Sequence, residues 1–218
     1  VVDEFGSRRY IQKSCHTDDA AIERDYLDFV ERIEPAYKLA FFELQKKLVD
    51  SPHAAALRGP RYATLLRSWK RDVEIFRAEN VELDTQITRR VNDYDKIMGA
   101  MMIDFRGQSY TPPQMGRFLD DPDRATREEA WTGVAQARLK VRDEVESIFD
   151  DLRPLRSRVA ANAGYADYRD YCFAQKKRFD YTPEDCHRYA EAIETCVVPL
   201  MRVLEAERRH DLRLDRLR

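Results

Sequence analysis

The 218 residues carry 38 basic and 40 acidic side chains, a formal net charge of −2 that leaves no global field to draw in nucleic acid or an anionic membrane. A 43% hydrophobic and 11% aromatic content excludes intrinsic disorder, and seven glycines and nine prolines against 36% charged residues favour long helices with charged outer faces. Cys15, Cys172, Cys186 and Cys196 lack Cys-x-x-Cys spacing and exclude a disulfide scaffold, which suits free thiols in a reducing, cytoplasmic setting, and no run approaches the roughly 18 apolar residues of a membrane span.

In chain order, Thr17-Asp18-Asp19 supplies an N-cap and first-turn acids for a helix reaching about Asp50. Ile22, Tyr26, Phe29, Ile33, Tyr37, Ala40, Leu44 and Leu48 form its apolar stripe at steps of three or four residues, and Ser51-Pro52 ends it. Residues 60–80 read as a second helix with Tyr62, Leu65, Leu66, Trp69, Val73 and Phe76 on one side; the short connector implies antiparallel packing. Residues 80–97 are expected to be helical for most of their length, with Val91, Tyr94 and Ile97 or Met98 facing inward.

The pattern then changes. Residues 99–105, Arg106-Gly107 and residues 108–111 read as strand, tight turn and strand, a β-hairpin that must pack on helices or pair with a further strand. Thr111-Pro-Pro-Gln starts a short helix ending near Leu119. From Asp121-Pro-Asp123 to about Asn162, a seam of Trp131, Val134, Val141, Val145, Ile148, Leu152, Leu155 and Val159 predicts one long helix, kinked at Pro154 and closed by Gly164. Residues 165–176 read as a shorter helix. Thr182-Pro183-Glu184-Asp185 opens the last one, which continues through Ile193, Val197, Leu200 and Leu204 with a bend at Pro199. The fold class is all-α, a bundle of long amphipathic helices with one small β-hairpin near residues 99–111. A helical-hairpin region over 1–98 and a β-hairpin plus long-helix region over 99–218 together form one lobe.

Few side chains form constellations that carry chemistry. His16, His53, His187 and His210 include no pair four residues apart with Glu between them, as the zinc-binding His-Glu-x-x-His turn requires. Glu-x-x-His occurs as Glu184 to His187 and Glu207 to His210, the pattern of di-metal bundles. Both pairs fall on one expected helix, 23 residues or roughly 35 Å apart, so they cannot share an ion pair within one chain. Cys15-His16 and Cys186-His187 are neighbours that point about 100° apart on a helix, and no Gly-rich phosphate loop is present. The aromatic group around residues 165–181 has two readings: rings that glue a turn onto the bundle, or a peptide cleft lined by Tyr165, Tyr168, Arg178 and Tyr181. The hairpin likewise either caps the bundle or offers an edge strand to a substrate backbone or to another lobe.

Three phrases carry a resemblance: Asp121-Pro-Asp-Arg-Ala-Thr-Arg-Glu-Glu-Ala-Trp131, Asn162-Ala-Gly-Tyr-Ala-Asp-Tyr-Arg-Asp-Tyr171 and Arg178-Phe-Asp-Tyr-Thr-Pro-Glu-Asp185. With Gly6-Ser-Arg-Arg-Tyr10, Cys15-His-Thr-Asp-Asp19, Phe105-Arg-Gly107 and Val197-Val-Pro199, their order along nearly the whole chain resembles the helical lobe of oligoendopeptidase F-type enzymes in the M3 family of zinc metallopeptidases. The resemblance implies a zinc-dependent enzyme that cuts oligopeptides inside a closed helical cavity, with this chain as a wall. Zinc, its ligands and the general-base Glu would belong to a catalytic lobe of the same polypeptide outside these residues. Both ends are accordingly expected to be cut ends, no catalytic or metal-binding residue is expected here, and this chain alone should be inactive. The alternative is a non-enzymatic helical interaction module. Exposed apolar stripes on the hairpin or last helix are expected under either reading. A metal-carboxylate bundle, the third possibility, requires stoichiometric metal.

Overall fold

Helices α1 (Val2–Cys15), α2 (Ala20–Asp28) and α3 (Glu34–Val49) open the chain in a computed structural model that describes residues 1–217; Arg218, the last residue of the chain, lies outside the described residues. Two compact units are present, Val1–Tyr168 and Arg169–Arg218. The all-α class with one two-stranded sheet is observed.

Helix α1 has no counterpart in the sequence periodicity, because polar and aromatic contacts hold it where an apolar stripe would be expected. Lys13 is buried and donates Nζ to Asp95 Oδ2 at 2.6 Å, with the Tyr10 and Tyr26 rings 5.4 and 5.2 Å from its ammonium. An ammonium so enclosed is tolerated because a carboxylate and two ring faces replace its water. Gly6 allows the close approach: a Cβ there would stand 2.6 Å from the Phe29 ring.

Asp19 caps α2 by accepting from the amides of Ala21 and Ile22. The helical path then runs to Val49 as expected, but through a π turn at Phe29–Ile33, where the Glu34 amide reaches back to the Phe29 carbonyl. A π turn inserts one residue. The apolar stripe therefore shifts in part: Ile33, Ala40 and Leu44, expected inward, are exposed, Glu34, Phe41 and Gln45 turn inward, and Tyr37 and Leu48 stay half-buried as expected. Pro35 accounts for the insertion, since it lacks an amide hydrogen and its ring would clash with the carbonyl four residues back in a tight α turn.

Helix α4 (Pro60–Ile75) packs on α3, with the Phe42 and Phe76 rings stacked at 4.0 Å and Gln45 Nε2 donating to Asp72 Oδ2 at 2.9 Å. The order of these pairs along the two helices is antiparallel, as the short connector requires. The helix stops at Ile75 and not near Asn80: Phe76 turns extended, and Arg77 Nη1 caps the end by donating to the carbonyls of Glu74 and Phe76. Helix α5 (Glu79–Gly99) follows. Its inward residue near the middle is Asn92 and not Tyr94, which is 40% exposed; Asn92 Nδ2 and Lys96 Nζ both donate to Glu23, so this part of the seam is polar.

Strands β1 (Ile103–Phe105) and β2 (Gln108–Tyr110) pair antiparallel with Ile103 opposite Tyr110 and Phe105 opposite Gln108. Arg106 and Gly107 both have positive φ, 51° and 81°, as a two-residue hairpin turn demands. Ile103 and Phe105 enter a core with Met101, Met115, Ala130 and Ala137. Helix α6 (Pro112–Met115) starts on a Thr111/Gln114 capping box.

The expected single seam over 121–162 is two helices, α7 (Arg124–Lys140) and α8 (Arg142–Asn162), parted at Val141. Pro154 lies inside α8 and does not end it. Trp131, expected inward, is 64% exposed; small residues face the hairpin instead, and a Cβ on Gly133 would meet Ile103 at 3.3 Å. The hairpin thus packs directly on α7, as its marginal stability requires.

Helix α8 ends at Gly164 with φ 85°, where the Tyr165 amide donates back to the Ala160 carbonyl. Helices α5 and α8, on either side of the expected region boundary at residue 98, form the most extensive helix pairing. Asn80 Nδ2 donates to the Val159 carbonyl at 3.0 Å, Asn162 Nδ2 to Asn80 Oδ1 at 2.7 Å, and Arg77 Nε to the Asn162 carbonyl at 3.0 Å.

In the second unit, helix α9 (Tyr168–Gln175), which begins one residue before it, is followed by α10 (Pro183–Ala192) on a Thr182/Asp185 capping box, a π turn at Ile193–Val197 and α11 (Val198–Asp211). The bend expected at Pro199 takes the form of that π turn, placed before its proline as the first is before Pro35. None of residues 183–211 is buried, and Tyr189 is 70% exposed.

Replacing Asn80 by Ala removes the acceptor of the Asn162 side-chain amide and the second donor to the Val159 carbonyl, which keeps the Ala163 amide, and should cost about 1–3 kcal/mol in urea unfolding; an unchanged midpoint would contradict the role given to Asn80. The cap carboxylates Asp19, Asp123 and Asp185 lie below their ordinary value of 3.8: Asp19 through the Ile22 and Ala21 amides, Asp123 through the Thr126 hydroxyl and amide, and Asp185 through the Thr182 hydroxyl and amide. A lowered folded value means that the stabilisation is complete above the unfolded value and vanishes as pH falls through the folded one. The contribution of these caps to the urea midpoint should accordingly be complete above that ordinary value and fall away only below it.

Candidate functional site

Tyr165 and Tyr168 belong to the first unit, Arg178 and Tyr181 to the second. Within the second unit the structure brings Arg178 and Tyr181 together around Phe173. The Arg178 guanidinium stands 4.8 Å from the Phe173 ring and 5.7 Å from the Tyr181 ring, and the two rings meet edge-on at 5.9 Å. The local backbone sets this up. Helix α9 ends with Lys177 in the left-handed region at φ 55°, and the Arg178 amide donates to the Phe173 carbonyl at 3.0 Å, folding residue 178 back over residue 173. A guanidinium on ring faces keeps its charge and its in-plane donors, so it can take a carboxylate while the exposed Tyr181 offers an apolar face.

Tyr165 is half-buried directly after the left-handed Gly164, and Tyr168 opens α9 with the Arg156 guanidinium 5.8 Å from its ring. Arg156 Nε is buried without a hydrogen-bond partner among the described residues, so the ring face is its main compensation there. Sequence reading missed Arg156, because the Gly164 turn that brings residues 156 and 168 together leaves no periodic trace. Phe173, which belonged to the aromatic group but not to the cleft candidates, is the centre of the Arg178 cluster.

His16, His53, His187 and His210 are all exposed, and among the described residues no group of three or more His, Cys, Asp or Glu side chains could hold a metal ion. Zinc therefore has no fitting site in these residues. No helix among them is long and apolar enough to cross a membrane.

No protein-family model matches the chain, and no curated protein is similar to it in sequence. Solved structures are similar in fold. A Bacillus anthracis str. Ames protein that carries the name oligoendopeptidase F superposes with a TM-score of 0.89 over 98% of this chain, at 22% identity. PZ peptidase A, solved with an inhibitor, superposes with a TM-score of 0.89 over 96% of the chain at 23% identity, as does a further oligoendopeptidase F structure. The chain spans 39% of the first of these and 37% of each of the other two. It has the fold of the corresponding part of oligoendopeptidase F structures.

Proposed function

We propose that this chain is the helical part of a zinc-dependent oligopeptidase of the oligoendopeptidase F type, acting in the cytoplasm on short peptides. The observation that supports the reading is the fold match across 98% of the chain to 39% of an oligoendopeptidase F structure, taken with the order of the resembling phrases. Regions 1–98 and 99–218 contribute together to one lobe that walls the substrate cavity. With no fitting zinc site among the described residues, metal and general base are assigned to a catalytic lobe of the same polypeptide, and no catalytic step is assigned to these residues.

What these residues supply is binding and exclusion. Within the first unit Tyr165 and Tyr168 offer ring faces to an extended peptide; within the second, Tyr181 does so and Arg178, held on Phe173, pairs with a peptide carboxylate. The open apolar positions of α10 and α11, among them Tyr189, Leu200, Met201 and Val203, form the surface that the catalytic lobe covers. A non-enzymatic interaction module would use the same surface for a separate partner, and activity distinguishes the two.

A quenched-fluorescence peptide assay tests the proposal. The 218-residue chain should give no turnover with or without added zinc. A longer polypeptide from the same gene should cut oligopeptides in a zinc-dependent way, and Arg178→Ala in it should raise KM several-fold with kcat little changed. Zinc-dependent turnover by the 218-residue chain alone, or a longer polypeptide with no peptidase activity, would overturn it.

A further inference from the structure

Helix α1 does not close fully on the helices beneath it. Between its face at Asp3, Gly6 and Tyr10 and the facing residues of the α2–α3 segment lies a groove of about 490 Å³, a volume in the range of small-molecule sites. Tyr26, Phe29 and Val30 form its apolar floor, and all three are buried. Tyr10 and Tyr37 stand at its sides. Asp3 and Glu34 bring two carboxylates to the same space, and Lys38 is its one cation.

The charges are unevenly committed. Lys38 divides itself between Glu34 at 3.2 Å and Asp84 at 3.5 Å, so it does not neutralise Glu34 alone. Asp3 accepts a hydrogen bond from the Tyr37 hydroxyl at 3.1 Å. Lys13, close to the Tyr10 and Tyr26 rings, is answered by Asp95 at 2.6 Å and does not line the groove. The Tyr26 hydroxyl makes no hydrogen bond among the described residues and lines the groove, where a ligand could reach it. Burial first, and then the Glu34 charge, push this phenol up to about 12, so it stays a neutral hydroxyl in a negative local field. Aromatic walls with two carboxylates and a single lysine of the groove lining, which Glu34 shares with Asp84, suit a cation on an apolar stem, because ring faces and carboxylates both replace its water.

We infer that this groove binds a primary alkylammonium, with the stem between Phe29 and Tyr10 and the ammonium among Tyr26, Tyr37, Glu34 and Asp3. The inference does not depend on peptidase activity. A lysine side chain of a peptide and a free alkylamine share this chemistry.

Isothermal titration of the 218-residue chain with Nα-acetyl-lysine amide and with n-pentylammonium tests it, with Nα-acetyl-norleucine amide as the uncharged control. Saturable binding of at least one amine, about tenfold tighter than the control, is expected. Preference for the capped lysine identifies a peptide side chain as the source, and preference for pentylammonium a free amine. Glu34→Gln should weaken binding about fivefold, the share of one charge-assisted contact. Tyr10→Leu, at the exposed rim, should weaken it in the same direction and serves if Glu34→Gln loses its helical signal. Equal binding of the norleucine control, no saturation with either amine, or unchanged affinity in both folded variants would overturn the inference.

Discussion

The largely buried hydrogen-bond chain from Arg77 through Asn162 and Asn80 to the Val159 carbonyl, fully enclosed at its Asn80 end, is the constraint on which the first unit depends. It joins the start of α5 to the end of α8, the two helices with the most extensive pairing, and it fixes their register. Val81, Leu83, Ile148, Leu152 and Val159 are buried on these two helices, each with a hydrophobic contribution of about 1.5–3 kcal/mol. Apolar burial of this kind tolerates sliding. Amide groups buried in the same seam do not, because any shift would leave donors and carbonyls without partners. Glu23 extends the polar seam further along α5. Burial alone would push its carboxyl up, but hydrogen bonds from Lys96 and Asn92 outweigh it and hold the value below the usual one.

The two π turns show how proline shapes this molecule. Each lies just before a proline, Pro35 or Pro199, that sits early in the following helix, and each lets the helix continue where a tight turn would clash. The first has consequences for packing. By inserting one residue it moves the inward stripe of α3 from Leu44 to Gln45, which then reaches Asp72 on α4. It also brings Glu34 into the groove beneath α1, so the backbone irregularity and the candidate amine site have one cause. Pro154, in contrast, sits inside α8 without a π turn.

The proposed peptidase role places binding groups here and chemistry elsewhere. The cation-aromatic cluster of Arg178, Phe173 and Tyr181 is built by a local turn, so it can keep its geometry wherever its unit lies. The open apolar positions of α10 and α11 have no such local reason. Exposed leucine and valine at this density are costly in water, and their presence fits a surface made to be covered.

The sequence by itself determined the helical class, the hairpin with its Arg106-Gly107 turn, and the helix starts at Asp19, Thr111, Asp123 and Thr182, because caps, turns and periodic stripes are local chemistry between residues a few positions apart. Ile148, Leu152 and Val159 are buried as their spacing predicts, and only the tertiary structure decided where the buried face departs from the apolar stripe. Trp131 yields to Ala130 and Gly133 because a strand must approach α7, and Asn92 displaces Tyr94 because its partner is 69 residues away on α2. The docking of α1 and the groove below it were equally hidden, since Lys13 and Asp95 are 82 positions apart and a buried lysine reads as surface until its partner is seen. Short-range rules act within a turn or two of helix, whereas burial is set by neighbours that the chain supplies from far along its length.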